Sequence, residues 1–308
     1  MRSSLRPCAL PLILSLCACA AVDSADPGYQ ATSLLGEELR TPALEPQRAR
    51  ELAENLSEAE RAWRAEPSEE NAVWVGRRLA YLGRYREALE WYTWRLEEFP
   101  ESYRLLRHRG HRCITLRRFG DAQRDLERAW ELCAGLPDAI EPDGAPNRRG
   151  IPRSTTHTNV LYHLGLARYL QADYEGAVDA FGACLERCTN DDMRVATLNW
   201  LVGSLRRAGR FDEARAVLAN VSMDMDVIEN FAYHRLLFLY RGDRRPEWVT
   251  RASDGDAVAG GTLGYGIANW AWTNGDREGA TQALRKVVAA GPWAAFGVIA
   301  AEADIARL

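Results

Sequence analysis

Along most of the chain, apolar residues return at the three- and four-residue spacing of one helix face, and such faces come in pairs separated by short polar or glycine breaks. The segment from Glu69 shows the pattern. Val75, Gly76 and Leu79 lie on one predicted helix, Gly83 breaks it, and Tyr85, Ala88 and Tyr92 lie on a second, which Pro100 ends. The stretch GRYREALEWY from Gly83 is rewritten as RRFGDAQRDL from Arg117, ADYEGAVDAF from Ala172, GRFDEARAVL from Gly209 and GDREGATQAL from Gly275, with a worn copy, GDRRPEWV, from Gly242. The intervals cluster near about 34 residues, apart from one lengthened by a proline-rich insert. A period of that size with helical spacing inside it predicts stacked helical hairpins, none able to cover its own apolar face.

Small residues fall where paired helices must cross. Gly76, Gly110 and Gly165 sit on first helices, and Ala88, Ala122, Ala177, Ala214 and Ala280 face them from second helices, while Tyr85, Phe119, Tyr174 and Phe211 are placed to fill the wedge between neighbouring units. With these residues the chain resembles the tetratricopeptide repeat (TPR) family over roughly residues 69 to 292. The resemblance implies an all-α fold, a right-handed TPR-type α-solenoid of about six helical hairpins with terminal capping helices. RHRGHRC followed by RRFGDA, IEPDGAPNRRGIP, NVLYHLGLA and the tail WAAFGVIAAEADIARL also resemble a group of bacterial exported TPR proteins.

The chain divides accordingly: 1–19 a signal peptide, 20–44 a linker, 45–134 an N-terminal cap and units 1 and 2, 135–157 a Pro/Gly-rich insert, and 158–308 units 3 to 6 with a C-terminal cap. RARELAENLSEAERAWRA from Arg48 reads as the first cap and WAAFGVIAAEADIARL as the last. The unit from Ile228 is expected to be irregular, because Pro246 stands where its second helix begins and 251–261 is rich in glycine and aspartate. The insert, with Pro137, Pro142, Pro146 and Pro152, reads as a loop. It is either a tolerated surface insertion or a cover over the concave face that brings Arg148, Arg149 and Arg153 to a ligand.

Composition narrows the class of function. A formal net charge of -4 and 47% hydrophobic residues describe a folded chain without a global attraction to nucleic acid or anionic lipid. MRSSLRP followed by CALPLILSLCA has the charged and apolar parts of a secretory signal peptide, and LCAC resembles a bacterial lipobox with Cys19 as the lipidated residue. Cleavage after Ala18-Cys19-Ala20, releasing a soluble periplasmic protein, is the rival reading. The expectation is an exported, envelope-associated protein, periplasmic and anchored through Cys19, with the outer membrane favoured because Ala20 carries no inner-membrane retention signal. Cys113, Cys133, Cys184 and Cys188 are expected to be mainly buried thiols, since a bridge between Cys184 and Cys188 on one helix would be strained.

First helices line the inner wall of such an array. The resemblance places in that groove Arg77; Arg104, Arg107 and His111; Asn159, Tyr162 and Tyr169; Asn199, Arg206 and Arg207; Tyr233; and Tyr265, Asn269 and Trp272. Arginine beside flat aromatic groups suits a protein or peptide segment with carboxylate groups. The carboxylate clamp of chaperone-tail receptors would fall on Val73, Arg77, His108, Asn159 and His163, and most of these depart from it. The leading function is therefore a non-catalytic protein- or peptide-binding scaffold or assembly factor of the bacterial cell envelope, without cofactor or metal and with no nucleic-acid partner. The alternative is a small-ligand or metal-dependent enzyme site under the insert, near His108, His111, His157 and His163. A purely structural spacer is a third reading. No H-E-x-x-H or G-x-S-x-G motif occurs, and GTLGYG from Gly261, read as a glycine run before a helix, lacks the flanks of a phosphate loop.

Overall fold

The computed structural model describes residue 26, residues 28–250 and residues 257–308. Residues 1–25, the expected signal peptide with Cys8, Cys17 and Cys19 among them, and the segment 251–256 lie outside the described residues. Two short strands, β1 (Tyr29–Thr32) and β2 (Glu38–Arg40), form an antiparallel hairpin. Helices then run to the end of the chain: α1 (Pro46–Ala65), α2 (Glu69–Tyr81), α3 (Tyr85–Glu98), α4 (Tyr103–Thr115), α5 (Phe119–Cys133), α6 (Thr156–Leu170), α7 (Tyr174–Leu185), α8 (Asp191–Arg207), α9 (Phe211–Val217), α10 (Phe231–Arg241), α11 (Pro246–Thr250), α12 (Ala257–Thr273), α13 (Arg277–Ala290) and α14 (Phe296–Ile305). Six hairpins, α2/α3 through α12/α13, stack side by side, with α1 covering the first.

One backbone feature explains the recurring decapeptide. Each copy begins at the residue that turns the chain from first helix to second, and that residue is left-handed in all six: Gly83 (φ 75), Arg117 (φ 64), Ala172 (φ 63), Gly209 (φ 77), Gly242 (φ 91) and Gly275 (φ 95). Glycine is the residue for this conformation, and Arg117 and Ala172 adopt it against the steric preference of a side chain. Beyond the turn, the small residues do what their spacing implies. A Cβ on Gly76 would stand 2.2 Å from the Tyr92 ring, and one on Gly165 2.7 Å from the Phe181 ring. Ala88, Ala122, Ala177, Ala214 and Ala280 are buried at these crossings. Phe119 is buried too, whereas Phe211 stays 38% exposed at the start of the short α9.

The regular array loosens toward its C-terminal half. α9 has seven residues and α11 only five, with Pro246 at the first position of α11, where its missing N–H costs nothing. The GTLGYG run does not precede a helix; it lies inside α12. Its glycines allow close crossings, since a Cβ on Gly266 would meet Leu236 at 2.4 Å. Segment 20–44 is likewise more than a linker. The β1–β2 hairpin packs on α3, where the Gln30 side-chain oxygen accepts from the Arg86 backbone N–H at 3.0 Å.

The last helix departs most from a simple terminal cap. α14 covers α12 and α13 as a cap would, but it also reaches α6, and every residue from Gly297 to Asp304 is buried. A helix apolar all round belongs inside a protein, and here it crosses the inner face of the array. Its two acids are met there. Glu302 accepts from Arg117 Nε at 3.1 Å, from Arg117 Nη2 at 2.7 Å and from the Leu34 backbone N–H at 2.7 Å. Asp304 accepts from Arg207, from Arg307 and, at 3.1 Å, from the Tyr265 hydroxyl. The preceding turn adds Trp293, whose ring meets Tyr85 edge-on at 5.3 Å and whose indole N–H donates to Arg40 O at 2.8 Å. The last helix and the N-terminal hairpin thereby close the array on itself.

Candidate functional site

Two segments cover the inner wall, and they divide it. α14 packs on α12 and α13, reaches α6 and sets Phe296 against His111 and His163; the insert roofs the part lined by α2, α4 and the start of α6. The base of the insert is closed by backbone bonds, Glu141 N–H to Ser154 O and Thr156 N–H to Ala139 O. Its far side is stapled by Arg149 to Asp226 at 2.6 Å, and by Arg153 to Glu229 at 2.6 Å and to buried Asp192 at 3.5 Å. Those arginines are thus engaged with acids of the same chain. The insert does lie over the inner face, and what it brings there is Glu141 and backbone carbonyls. Pro142 O accepts from Arg77 Nη1 at 2.8 Å and Gly144 O from Arg78 Nη1 at 3.3 Å. Gly144 passes so close that a Cβ would stand 2.1 Å from the Tyr81 hydroxyl.

Between insert and wall lies a cleft of about 160 Å³, lined by Trp74, Arg77, Arg104, Arg107, His108 and Glu141 among others. α2 supplies Trp74 and Arg77 one turn apart, and the Arg77 guanidinium lies 4.5 Å from the Trp74 ring centroid. α4 supplies the other cations. Arg104 is exposed at the mouth, while Arg107 and His108 are buried deeper. Behind them is an inner chamber of about 140 Å³ walled by Arg77, Arg107, His108 and Glu141 together with Tyr81, Tyr92, His111 and Arg112. Arg107 Nη2 meets Glu141 at 3.1 Å and its Nη1 lies 2.8 Å from His108 Nδ1, while its Nε is buried with no partner. Glu141 also accepts from Asn159 Nδ2 at 2.9 Å.

The histidines here are held neutral. Burial, reinforced by the nearby Arg107 and Arg112, keeps His108, His111 and His163 well below the usual imidazole range. Burial also lowers Arg107 and Arg112 from the ordinary guanidinium value, without making either neutral. His111 and His163 stand 4.3 Å apart at their ring centroids, both against Phe296 of α14. His157 is not with them, for its Nε2 pairs with Cys133 O at 2.8 Å and its ring meets Trp130. Among the described residues no three His, Cys, Asp or Glu side chains gather in a group that could hold a metal. Cys113, Cys133, Cys184 and Cys188 are buried free thiols.

The remaining groove positions are spread along the inner wall, many under cover. Tyr162 is buried against Phe181. Tyr169 and Tyr265 share a hydroxyl contact of 2.7 Å. Asn269 donates to the Tyr240 hydroxyl and accepts from Arg207 Nε. Arg206 donates to Thr273 and Asn274. Trp272 is half-buried, with the Arg277 guanidinium 4.0 Å from its ring, Tyr233 is half-buried near Trp200, and Asn199 is buried. Arg77, Arg104, Arg107, His108, His111 and Asn159 are therefore gathered around the roofed cavities, while Tyr169, Tyr265 and Asn269 lie among the contacts of units 4 to 6. Trp74, Arg112 and Glu141 complete the cavities and were not singled out from the sequence. A Glu inside a proline-rich insert carries no positional signal, although Arg112 directly follows His111 and Trp74 stands two residues before Gly76 of the repeat pattern.

Left-handed turns, small crossing residues and paired helices together define an all-α array of TPR-type hairpins. Solved structures of similar shape include YrrB, a TPR protein with an unusual peptide-binding site, at 15% identity over 78% of this chain and 95% of that one with a TM-score of 0.41. A tetratricopeptide repeat protein from Parabacteroides merdae is similar at 16% identity over 85% of this chain and 100% of that one, with a TM-score of 0.46. The Naa15/Naa10 complex bound to HypK-THB is similar at 15% identity over 80% of this chain and 37% of that one, with a TM-score of 0.36. No family model and no curated protein matches the sequence. At these scores the fold assignment rests on the chain's own hairpins.

Proposed function

We propose that the protein is a non-catalytic scaffold that binds a protein or peptide segment at the cleft between α2, α4 and the insert. The observation that carries this reading is the cleft itself: Arg77, Arg104 and Arg107 converge on it beside the flat Trp74 ring, and Arg104 stands exposed at its mouth. A guanidinium can fork onto a carboxylate, and a fixed aromatic ring offers area at low entropic cost, so an acidic segment is the preferred ligand. The rigid hairpins hold these groups in place before the ligand arrives. TPR neighbours such as YrrB, which has a peptide-binding site, are consistent with this class of function. A photocrosslinking residue at Trp74 should capture discrete partners in native cells. The same residue at Trp94, 54% exposed, should not capture them, and Arg104→Glu should abolish capture at Trp74. The same proteins recovered from both positions would refute the cleft.

The work of this scaffold is placed in the bacterial envelope, with Cys19 as the lipid anchor; LCAC after an apolar leader supports it. Metabolic labelling with a fatty acid should mark the native protein and leave Cys19→Ser unmarked. Release of an unlabelled native protein into the periplasm would favour ordinary cleavage instead.

A further inference from the structure

The inner chamber holds more positive charge than its own chain neutralises. Arg77, Arg107 and Arg112 all line it, and Glu141 is the one carboxylate in its wall. Arg77 is accounted for, donating to Pro142 O and to the Tyr81 hydroxyl at 3.2 Å. Arg107 spends Nη2 on Glu141 and leaves its buried Nε without an acceptor, and Arg107 as a whole is only 8% exposed. Arg112 is half-buried and makes no side-chain hydrogen bond or ion pair to any described residue; its guanidinium lies 5.3 Å from the Tyr85 ring. Nor does the His111 ring, whose aromatic neighbours are His163 and Phe296. A charged donor withdrawn from water without an acceptor, as Arg107 Nε is, costs free energy, and folded proteins rarely leave such groups empty-handed. The space beside these donors is polar and, at about 140 Å³, far larger than one water needs.

We propose that this chamber binds a small doubly charged tetrahedral oxyanion, inorganic phosphate or the phosphate end of a small monoester, held by Arg107 and Arg112. Three guanidinium groups against one carboxylate leave two positive charges over, which a divalent anion balances. Fork-shaped donors on two sides suit an acceptor with oxygens pointing in several directions, and the neutral His111 ring and the Tyr81 hydroxyl can add a donor each. The chamber shares Arg77, Arg107, His108 and Glu141 as a common wall with the outer cleft, so an ester tail has a direction in which to leave. This inference goes beyond the peptide reading and stands without it, for the donors at issue are Arg112 and the buried Nε of Arg107.

Isothermal titration calorimetry of the purified full chain with inorganic phosphate tests it. One phosphate per chain is expected. Arg112→Gln should weaken it roughly ten- to hundredfold, as loss of charged hydrogen bonds implies. Arg124→Gln, on the exposed outer face with a side chain 72% exposed, should leave it unchanged. Sulfate should compete and chloride should not. Glycerol phosphate separates the two sources, since equal binding means a monoester fits and binding of inorganic phosphate alone means the free ion is the ligand. Should Arg112→Gln fail to fold, the melting temperature of the wild-type chain decides: it should rise with phosphate well beyond its rise with sodium chloride of equal ionic strength, as in Arg124→Gln. The proposal is overturned if phosphate gives neither heat nor a melting shift, if chloride competes equally, or if Arg124→Gln weakens binding as much as Arg112→Gln. Tighter binding of succinate than of phosphate would likewise replace the tetrahedral assignment.

Discussion

Units 1 to 3 and units 4 to 6 are built from one repeat, yet their inner faces end in opposite states. Toward the C-terminal end the cover is α14, which buries Val298, Ile299, Ala300 and Ala301 among α12, α13 and α6 and pairs both of its acids with arginines. Over units 1 to 3 the cover is the insert, which brings carbonyl oxygens and one glutamate to Arg77, Arg78 and Arg107 of α2 and α4. The first leaves the inner face packed and its charges matched; the second leaves cavities and surplus charge. The cleft and chamber of this inner wall lie where the covering segment is irregular, since a loop packs less densely than a helix.

The sharpest way to break the closed half is at Glu302. Its carboxylate and Arg117 are both almost wholly buried, with side chains 3% and 2% exposed. Glu302→Ala leaves a buried guanidinium without its partner and frees the Leu34 N–H, so the expected loss is about 3–5 kcal/mol. Urea denaturation checks it, and the β1–β2 hairpin should loosen at the same time, read as faster amide exchange at Leu34. A loss below about 1 kcal/mol would mean that α14 does not bind the array together.

The roofed half is better probed by pH. His108, His111 and His163 are held below their unfolded value of 6.5, chiefly by burial. Below that value the unfolded chain takes up protons that the folded chain refuses, so stability is fully present above about pH 6.5 and is lost as pH falls toward the depressed folded values. All three histidines act in the same direction, so the loss of stability below about pH 6.5 grows as pH falls. Thermal melts at pH 7.5, 6.5 and 5.5 should show it, and His111→Gln should flatten the slope. A smaller effect is expected at the helix crossings beneath both faces: Gly76→Ala would press a methyl against the Tyr92 ring and should cost about 1–3 kcal/mol by overpacking, measured in the same denaturation.

How much of this was legible depends on how local each feature is. The hairpins were readable because Gly76, Ala88 and Gly83 each answer a constraint set within their own unit. So were the irregular fifth unit at Pro246 and Arg77, Arg104 and Arg107 as inner-wall cations. The closure was not, for Arg117 and Glu302 are 185 residues apart, and an apolar tail reads alike whether it caps the last hairpin or crosses the inner face. The β1–β2 hairpin was read as linker because YQAT and ELR are too short and too polar to alternate clearly. The insert's effect escaped for the same reason that loops resist reading in general: Glu141 matters through where Ser154 and Thr156 pin it, not through any pattern around it.

The finest test of the shared repeat lies at the turn. Six turns use a left-handed residue, four of them glycine, and the exceptions are Arg117 and Ala172. The Arg117 strain has a counterpart in its buried pairing with Glu302, so replacing it would lose more than it relieves. Ala172 is the cleaner case, because its methyl has no such duty. Its N–H donates to Tyr169 O at 2.9 Å, a bond that glycine keeps. Relief of the left-handed conformation is worth about 1–2 kcal/mol. The greater freedom of glycine in the unfolded chain takes back about 0.4–1 kcal/mol of that. Ala172→Gly should therefore stabilise the protein by roughly 0.5–1 kcal/mol, seen as a small rise in the urea midpoint at unchanged slope. The reverse change in the other half, Gly209→Ala at φ 77 with open space around it, should lose a similar amount. If the two do not mirror one another, the turns of the two halves differ in more than the residue they carry.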